Sequence, residues 1–161
     1  MEKYHLHNRP DRELKSETDI NAILKNGKFA VISMCRENEP YIVTLSYGYD
    51  SERRALYFHC AQRGLKLDFI AANNKVCATV IEDGGYIKGE CEHEFRSVVF
   101  WGNMQVVKEL EEKKHGMNIL LQHLEGQDSV IRQKMLKAEG SYSKMEILRL
   151  DIEEIHGKAG R

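Results

Sequence analysis

Residues Tyr41 to Asp50 alternate strictly in character: Tyr41, Val43, Leu45, Tyr47 and Tyr49 fall on one side, Ile42, Thr44, Ser46 and Gly48 on the other. A period of two is the mark of a β-strand, whose successive side chains point to opposite faces. The large side chains belong against a core and the small, hydroxyl-bearing ones away from it. Apolar or alternating runs recur at Phe29–Cys35, Ala55–Cys60, Val76–Ile81, Phe95–Val107 and Lys144–Ile152, with Leu148, Leu150 and Ile152 inward in the last. Gly102 interrupts the longest of them and marks a bulge. Six strands joined mostly by short connections, with no βαβ rhythm, close most naturally into an antiparallel Greek-key barrel decorated by helices, a mainly β, α+β fold.

The helices are read from caps and period. Ser16-Glu-Thr-Asp19 has capping-box character, Ile20, Ile23 and Leu24 follow at helical spacing, and Asn26-Gly27 supplies the stop, which predicts a helix over 17–26. Further helices are expected over 65–74, over 109–124 (Leu110, Met117, Leu120, Leu121 and Leu124 on one face) and over 128–138, with Gly126 as the breaker. Segment 82–94, with three glycines and many acidic residues, reads as an exposed loop. The whole chain, 1–161, reads as one domain, without internal repeat or low-complexity linker.

Charge narrows the function. Lys and Arg number 24 against 25 Asp and Glu, a net charge of -1, so no broad cationic field exists for nucleic acid or anionic lipid. No apolar run approaches the roughly 18 residues of a membrane span, and the N-terminus lacks a secretory h-region, so a cytoplasmic protein is expected. None of the four cysteines lies in a C-x-x-C pair. Cys35, Cys60 and Cys77 sit in apolar runs and read as small buried hydrophobes. Cys91-Glu-His93-Glu94 lacks the second half of a zinc site, so no metal is expected.

Three segments can carry chemistry. The Thr44/Ser46/Gly48 face would let a flat polar ligand meet backbone N–H groups with little obstruction; a solvated strand face is the alternative. His59-Cys-Ala-Gln-Arg63-Gly64-Leu-Lys66 runs from a strand end into a helix start, where free N–H groups, the helix dipole and two cations favour an anion, phosphate being the natural guess. The alternative is a solvated loop with incidental charge. Phe95-Arg96-Ser97-Val-Val-Phe100-Trp101-Gly102 sets an arginine and the sole tryptophan inside an apolar strand. A buried arginine needs an anion or carbonyl partner and the tryptophan offers a stacking surface; an edge or interface strand is the other reading.

These segments, with Arg9-Pro-Asp-Arg-Glu13, Gly27-Lys-Phe-Ala30, Pro40 to Gly48, Leu56 to Asp68, Asn74-Lys-Val-Cys77 and Ile152 to Gly157, resemble in order the flavin-binding split-barrel family related to pyridoxamine 5'-phosphate oxidase, nearest its 5-nitroimidazole-resistance branch. The resemblance implies a six-stranded split barrel and a homodimer with FMN at the subunit interface. It implies that Val43, Thr44, Leu45 and Ser46 line the flavin ring, that His59, Cys60 and Ala61 follow the ribityl chain, and that Arg63, Gly64 and Lys66 lie near the phosphate. Phe95, Arg96, Ser97 and Val98 would reach across from the partner chain. Thr44 stands where the family usually has Pro, and Cys60 where it usually has Ser. The basic residues that recognise pyridoxine phosphate are missing, so oxidation of pyridoxamine phosphate is not expected.

The function so implied is an FMN-dependent oxidoreductase passing electrons from NAD(P)H to a small electrophile such as a nitroaromatic compound or quinone, with His59 the candidate proton donor or substrate contact. A non-catalytic flavin carrier or redox sensor is a second reading. Haem binding is a third, since related split barrels include haem-binding members and the chain has seven histidines, His5, His7 and His156 near its termini.

Overall fold

The computed structural model describes residues 9–137, 140 and 142–160; His5 and His7 lie outside that range. After a 3-10 turn at Pro10–Arg12 come β1 (Glu13–Leu14), α1 (Glu17–Asn26), β2 (Phe29–Arg36), β3 (Glu39–Ser46), β4 (Gly48–Asp50), β5 (Ala55–Cys60), α2 (Leu65–Ala72), β6 (Lys75–Ile87), β7 (Glu92–Val106), α3 (Leu110–Glu125), α4 (Val130–Lys137) and β8 (Glu146–Gly160). α1 forms where its caps place it: Ser16 Oγ accepts from Asp19 N at 3.3 Å, Gly27 N closes on Ile23 O, and Ile23 and Leu24 are buried.

The fold is an antiparallel split barrel with helices. Its sheet has the order β3-β2-β6-β7-β8-β5-β4, with β1 added against β8, and is not closed by hydrogen bonds. Eight strands replace the six expected, largely because the alternating segment 41–50 breaks at Tyr47. Tyr47 is fully buried and its hydroxyl donates to Leu24 O at 2.7 Å, which bends the chain there. The residues before it pair with β2, and those after it pair with β5. The two ends of the sheet are therefore consecutive in the chain, and the sheet must curl round to join them. The strand has one alternation but two partners, and alternation carries no information about partners.

Segment 82–94 is not a loop. β6 runs on to Ile87 and β7 begins at Glu92, with Gly85 opposite Glu94, Tyr86 opposite His93 and a register shift between Asp83 and Gly85. This part of the hairpin is solvated on both faces, so it tolerates the polar composition that reads as a loop. Cross-strand pairs hold it: Asp83 with His93 at 2.7 Å and Glu82 with Arg96 at 2.6 Å. β8 likewise continues past Ile152 to Gly160, pairing with β7, and the bulge expected at Gly102 is there, between Trp101 and Gly102.

Ile32, Phe58, Val80, Phe100, Leu148 and Leu150 fill the barrel. Each large side chain taken from water contributes about 1.5–3 kcal/mol. A second cluster, Tyr57, Val107, Met117, Leu120 and Ile147, seats α3 on the outside of β5 and β8. Leu110, expected on the same face, stays 42% exposed at the first turn of that helix. Of the cysteines expected inside, only Cys60 is buried; Cys77 is half-buried and Cys35 exposed at a hairpin end. No helix among the described residues is long and apolar enough to cross a membrane.

Candidate functional site

β4 pairs with β5 from Asp50–Ala55 to Gly48–Tyr57 and no further. Beyond that point β3 and β5 diverge, β3 following β2 and β5 following β8. The split of the barrel falls between these strands, with Val43, Thr44, Leu45 and Ser46 on the β3 side and Phe58, His59 and Cys60 on the β5 side. β3 ends the sheet, so every second backbone N–H and C=O on its free edge is open to a ligand. Thr44 and Ser46 point outward and are exposed, while Val43 and Leu45 pack against the core, as the alternation requires.

Cys60 leads from β5 through Ala61, Gln62 and Arg63 to Gly64, which caps α2 with φ of +152° and has no side chain to fill the first turn. Leu67 N bonds to Gly64 O, so the N–H groups of Leu65 and Lys66 point away from the helix without intrahelical acceptors. Arg63 is exposed and Lys66 half-exposed beside them. Gln62 Nε2 donates to Ser143 O at 2.7 Å and ties the turn to the segment before β8. Burial pushes the Cys60 thiol up, while the Lys66 charge pulls it down, so the ammonium lies close enough to the cleft for its field to be felt there. The turn carries two backbone donors, the Lys66 ammonium near Gly64 and an exposed arginine next to it in sequence, residue types that suit a phosphate monoester.

His59 is exposed on the outward face of β5 and makes no side-chain hydrogen bond among the described residues. α2 is held to the far end of the cleft: Asn73 Nδ2 donates to Cys35 O at 2.9 Å, Tyr41 packs on Phe69 at 5.1 Å, and Arg36 lies over the same ring at 4.6 Å.

The remaining expected residues are elsewhere. β7 lies three strands from β3, roughly 14 Å at sheet spacing. Phe95 lies beneath Lys158 (5.6 Å), and Arg96, half-buried, is engaged by Glu82. Ser97 is 9% exposed, and Val98 is fully buried in the barrel, its side chain turned away from any ligand on the outer surface. Within one chain the β7 set is thus apart from the β3 strand, by three strands of the sheet.

Sequence reasoning missed Glu82 as the partner of Arg96, hidden in the segment read as a loop. It also missed a polar cluster under α3. There, Asp50 accepts from His115 Nε2 at 2.7 Å, Arg53 reaches the Tyr57 hydroxyl at 3.1 Å, and Glu112 bonds Arg149. The one signal for it was an aspartate closing a strand of otherwise alternating pattern.

A family model described as "Pyridoxamine 5'-phosphate oxidase" matches residues 16–159. No curated protein matches the chain. Among solved structures, one described as a 5-nitroimidazole antibiotic resistance protein from Bacteroides thetaiotaomicron superposes with a TM-score of 0.77 at 20% identity, over 92% of this chain and 86% of that one. The FAD and heme binding protein from Mycobacterium smegmatis gives 0.78 at 16% identity, over 93% and 74%. The heme storage protein from Vibrio cholerae gives 0.63 at 11%, over 91% and 96%. At these identities the likeness is one of fold.

Proposed function

Because the chain belongs to the pyridoxamine 5'-phosphate oxidase family, we propose that it binds FMN along the barrel split and works as a reductase of small electrophiles, with NAD(P)H as donor. The observation that supports this is the free edge of β3 at Val43–Ser46, together with the Gly64-capped start of α2 that carries Lys66 and follows Arg63. One anion corner suits a mononucleotide, and no second one for an adenine half is seen beside it among the described residues.

Bound there, the flavin would supply the electron transfer itself. The chain's task is to bind, orient and protonate. The β3 edge would offer its N–H groups to the polar rim of the ring, and the exposed Thr44 and Ser46 would allow close approach. Arg63, Lys66 and the α2 N–H groups would hold the phosphate. His59 stands at the cleft with a free ring, placed to give a proton to a reduced acceptor.

A homodimer forms part of the proposal. Val31, Thr79 and Val99 are aligned across β2, β6 and β7 on the outer face, flanked by the exposed Phe29, Ile42 and Ile81. A second copy covering that face would bring its Phe95 and Arg96 toward the cleft, which one chain by itself does not. Light scattering at micromolar concentration should give twice the chain mass of 18.6 kDa; a monomer would sink the shared site.

The decisive experiment is the visible spectrum of the purified protein, with mass analysis of what heat releases. Flavin absorbance and an FMN mass are expected, as is bleaching under NADH or NADPH without oxygen. Arg63→Ala with Lys66→Ala should weaken FMN by roughly ten- to a hundredfold, as loss of charge-assisted hydrogen bonds does. His59→Gln should slow acceptor reduction and leave FMN binding intact. Protein that stays colourless with added FMN, or takes up haem in its place, contradicts the proposal. FMN bound without turnover on any acceptor would leave a carrier or sensor.

A further inference from the structure

β8 is covered along one edge by β5 as far as Asp151 and by β1 from Gly157 onward. Between Ile152, whose N–H reaches Arg54 O, and Gly157 no strand among the described residues pairs with that edge, and a cavity of about 560 Å³ opens there, between the start of α1 and the β4–β5 turn. That is an ordinary size for a small-molecule site. Its floor is apolar, from Leu14, Ile20, Leu24, Ile152 and Ile155.

Two donors with no acceptor among the described residues line that cavity, the half-buried Asn21 amide and the exposed Arg54 guanidinium. Tyr49 donates its hydroxyl to Asn21 Oδ1 at 2.7 Å, which fixes the amide and leaves Asn21 Nδ2 with no protein acceptor among the described residues. Burial pushes the Tyr49 hydroxyl up, against the pull of Arg54, so it stays protonated and keeps donating. The Arg54 guanidinium lines the same cavity and makes no ion pair among the described residues. Its backbone is held at φ of +50°, a region a non-glycine residue rarely adopts, while its carbonyl accepts from Ile152 N at 3.1 Å.

We propose that this cavity binds a small monocarboxylic acid with an apolar body, its carboxylate on Arg54 and Asn21 Nδ2 and its body on the isoleucine floor. The rim charges select the class. Glu13 and Lys15 pair with each other at 3.8 Å, and Glu17 in the first turn of α1 opposes Arg54. Two acidic side chains, Glu13 and Glu17, line the same rim and disfavour a dianion such as phosphate, whereas a single carboxylate is matched by Arg54. The site lies at the opposite end of β5 from Arg63 and Lys66, about 17 Å away along the strand, and does not depend on flavin.

The test uses 3-phenylpropionate and its amide, followed by NMR of the isoleucine methyl groups in the purified protein. The acid should shift Ile20, Ile152 and Ile155, and the amide should bind at least tenfold more weakly. Arg54→Gly should weaken the acid about tenfold without lowering the melting temperature, since glycine adopts the positive φ freely; that separates lost binding from lost folding. Glu17→Gln should tighten it. The proposal is overturned by absent methyl shifts at millimolar acid, by equal binding of acid and amide, or by an Arg54→Gly protein that binds as before.

Discussion

A Gly102→Ala protein is expected to lose at least about 3 kcal/mol of stability, a fall of roughly 6–12 °C in melting temperature for a chain of this size. An added Cβ at Gly102 would lie 1.9 Å from Asp151 O and 2.9 Å from Asp151 C. Both are backbone atoms of the neighbouring strand, so no side-chain rotation can make room. The close approach comes from the bulge that shifts register between Trp101 and Gly102 and presses β7 onto β8. Relief would require those strands, the most extensively paired in the barrel, to separate. Gly140, whose added Cβ would meet nothing within 4 Å, is the matched control and should tolerate alanine with little change. Thermal melts of the two variants suffice: equal melting temperatures would mean that the bulge gives way and the strand contact is not rigid.

Asp50→Ala should be nearly as damaging, at about 3 kcal/mol, the upper end for leaving the hydrogen-bond partners of a buried group unmatched. The Asp50 side chain is 6% exposed. Its Oδ1 accepts from Glu52 N and Arg53 N, each at 3.1 Å, and its Oδ2 accepts from His115 at 2.7 Å. Alanine leaves two turn N–H groups and an imidazole without their acceptor and loosens α3 from β4. Other charged groups surround the pair: Arg53 lies 3.9 Å from the carboxylate, and Glu112 and Arg149 lie beyond Tyr57, whose ring meets His115 edge-on at 5.5 Å.

The sign of the pH dependence follows. Burial by itself would raise the Asp50 carboxyl, but the hydrogen bonds from His115, Arg53 N and Glu52 N outweigh it and hold the group below the usual carboxylate range. A carboxyl lowered on folding stabilises fully above its unfolded value, near about 4, and that contribution disappears as pH falls through the lower folded value. The stability gap between the native chain and Asp50→Asn should therefore be widest at neutral pH and shrink below about pH 4. Denaturant melts from neutral to acid pH measure it, and a gap that stays constant would show that the carboxylate charge is not what holds α3.

Both effects arise from contacts that local sequence does not announce, yet much else was legible. The Ser16 cap and the Asn26-Gly27 stop bound α1 at the residues read from the sequence, because a cap is satisfied within a few residues of itself. The inward and outward faces of β3 followed from alternation, and the glycine in the long strand did mark a bulge. The strand end at Cys60 and the Gly64 start of α2 were legible as well, since they are neighbours in the chain. Hairpin 82–94 was not. Its charges are answered across the strand pair, Glu82 by Arg96 and Asp83 by His93, and only the pairing turns a loop-like composition into strands.

Sequence by itself determined α1 and its caps, the faces of β3, the bulge at Gly102 and the family, because period, caps and motif order are properties of neighbouring residues. Tertiary structure decided where the alternating strand changes partner at Tyr47, and therefore that the barrel splits between β3 and β5. It decided that Arg96 is held by Glu82 and that Asn21 and Arg54 share one cavity. Each of these depends on residues between 14 and 33 positions apart meeting across the barrel. Such meetings are set by burial of the shared core, which constrains every strand at once and leaves no periodic trace along any one of them.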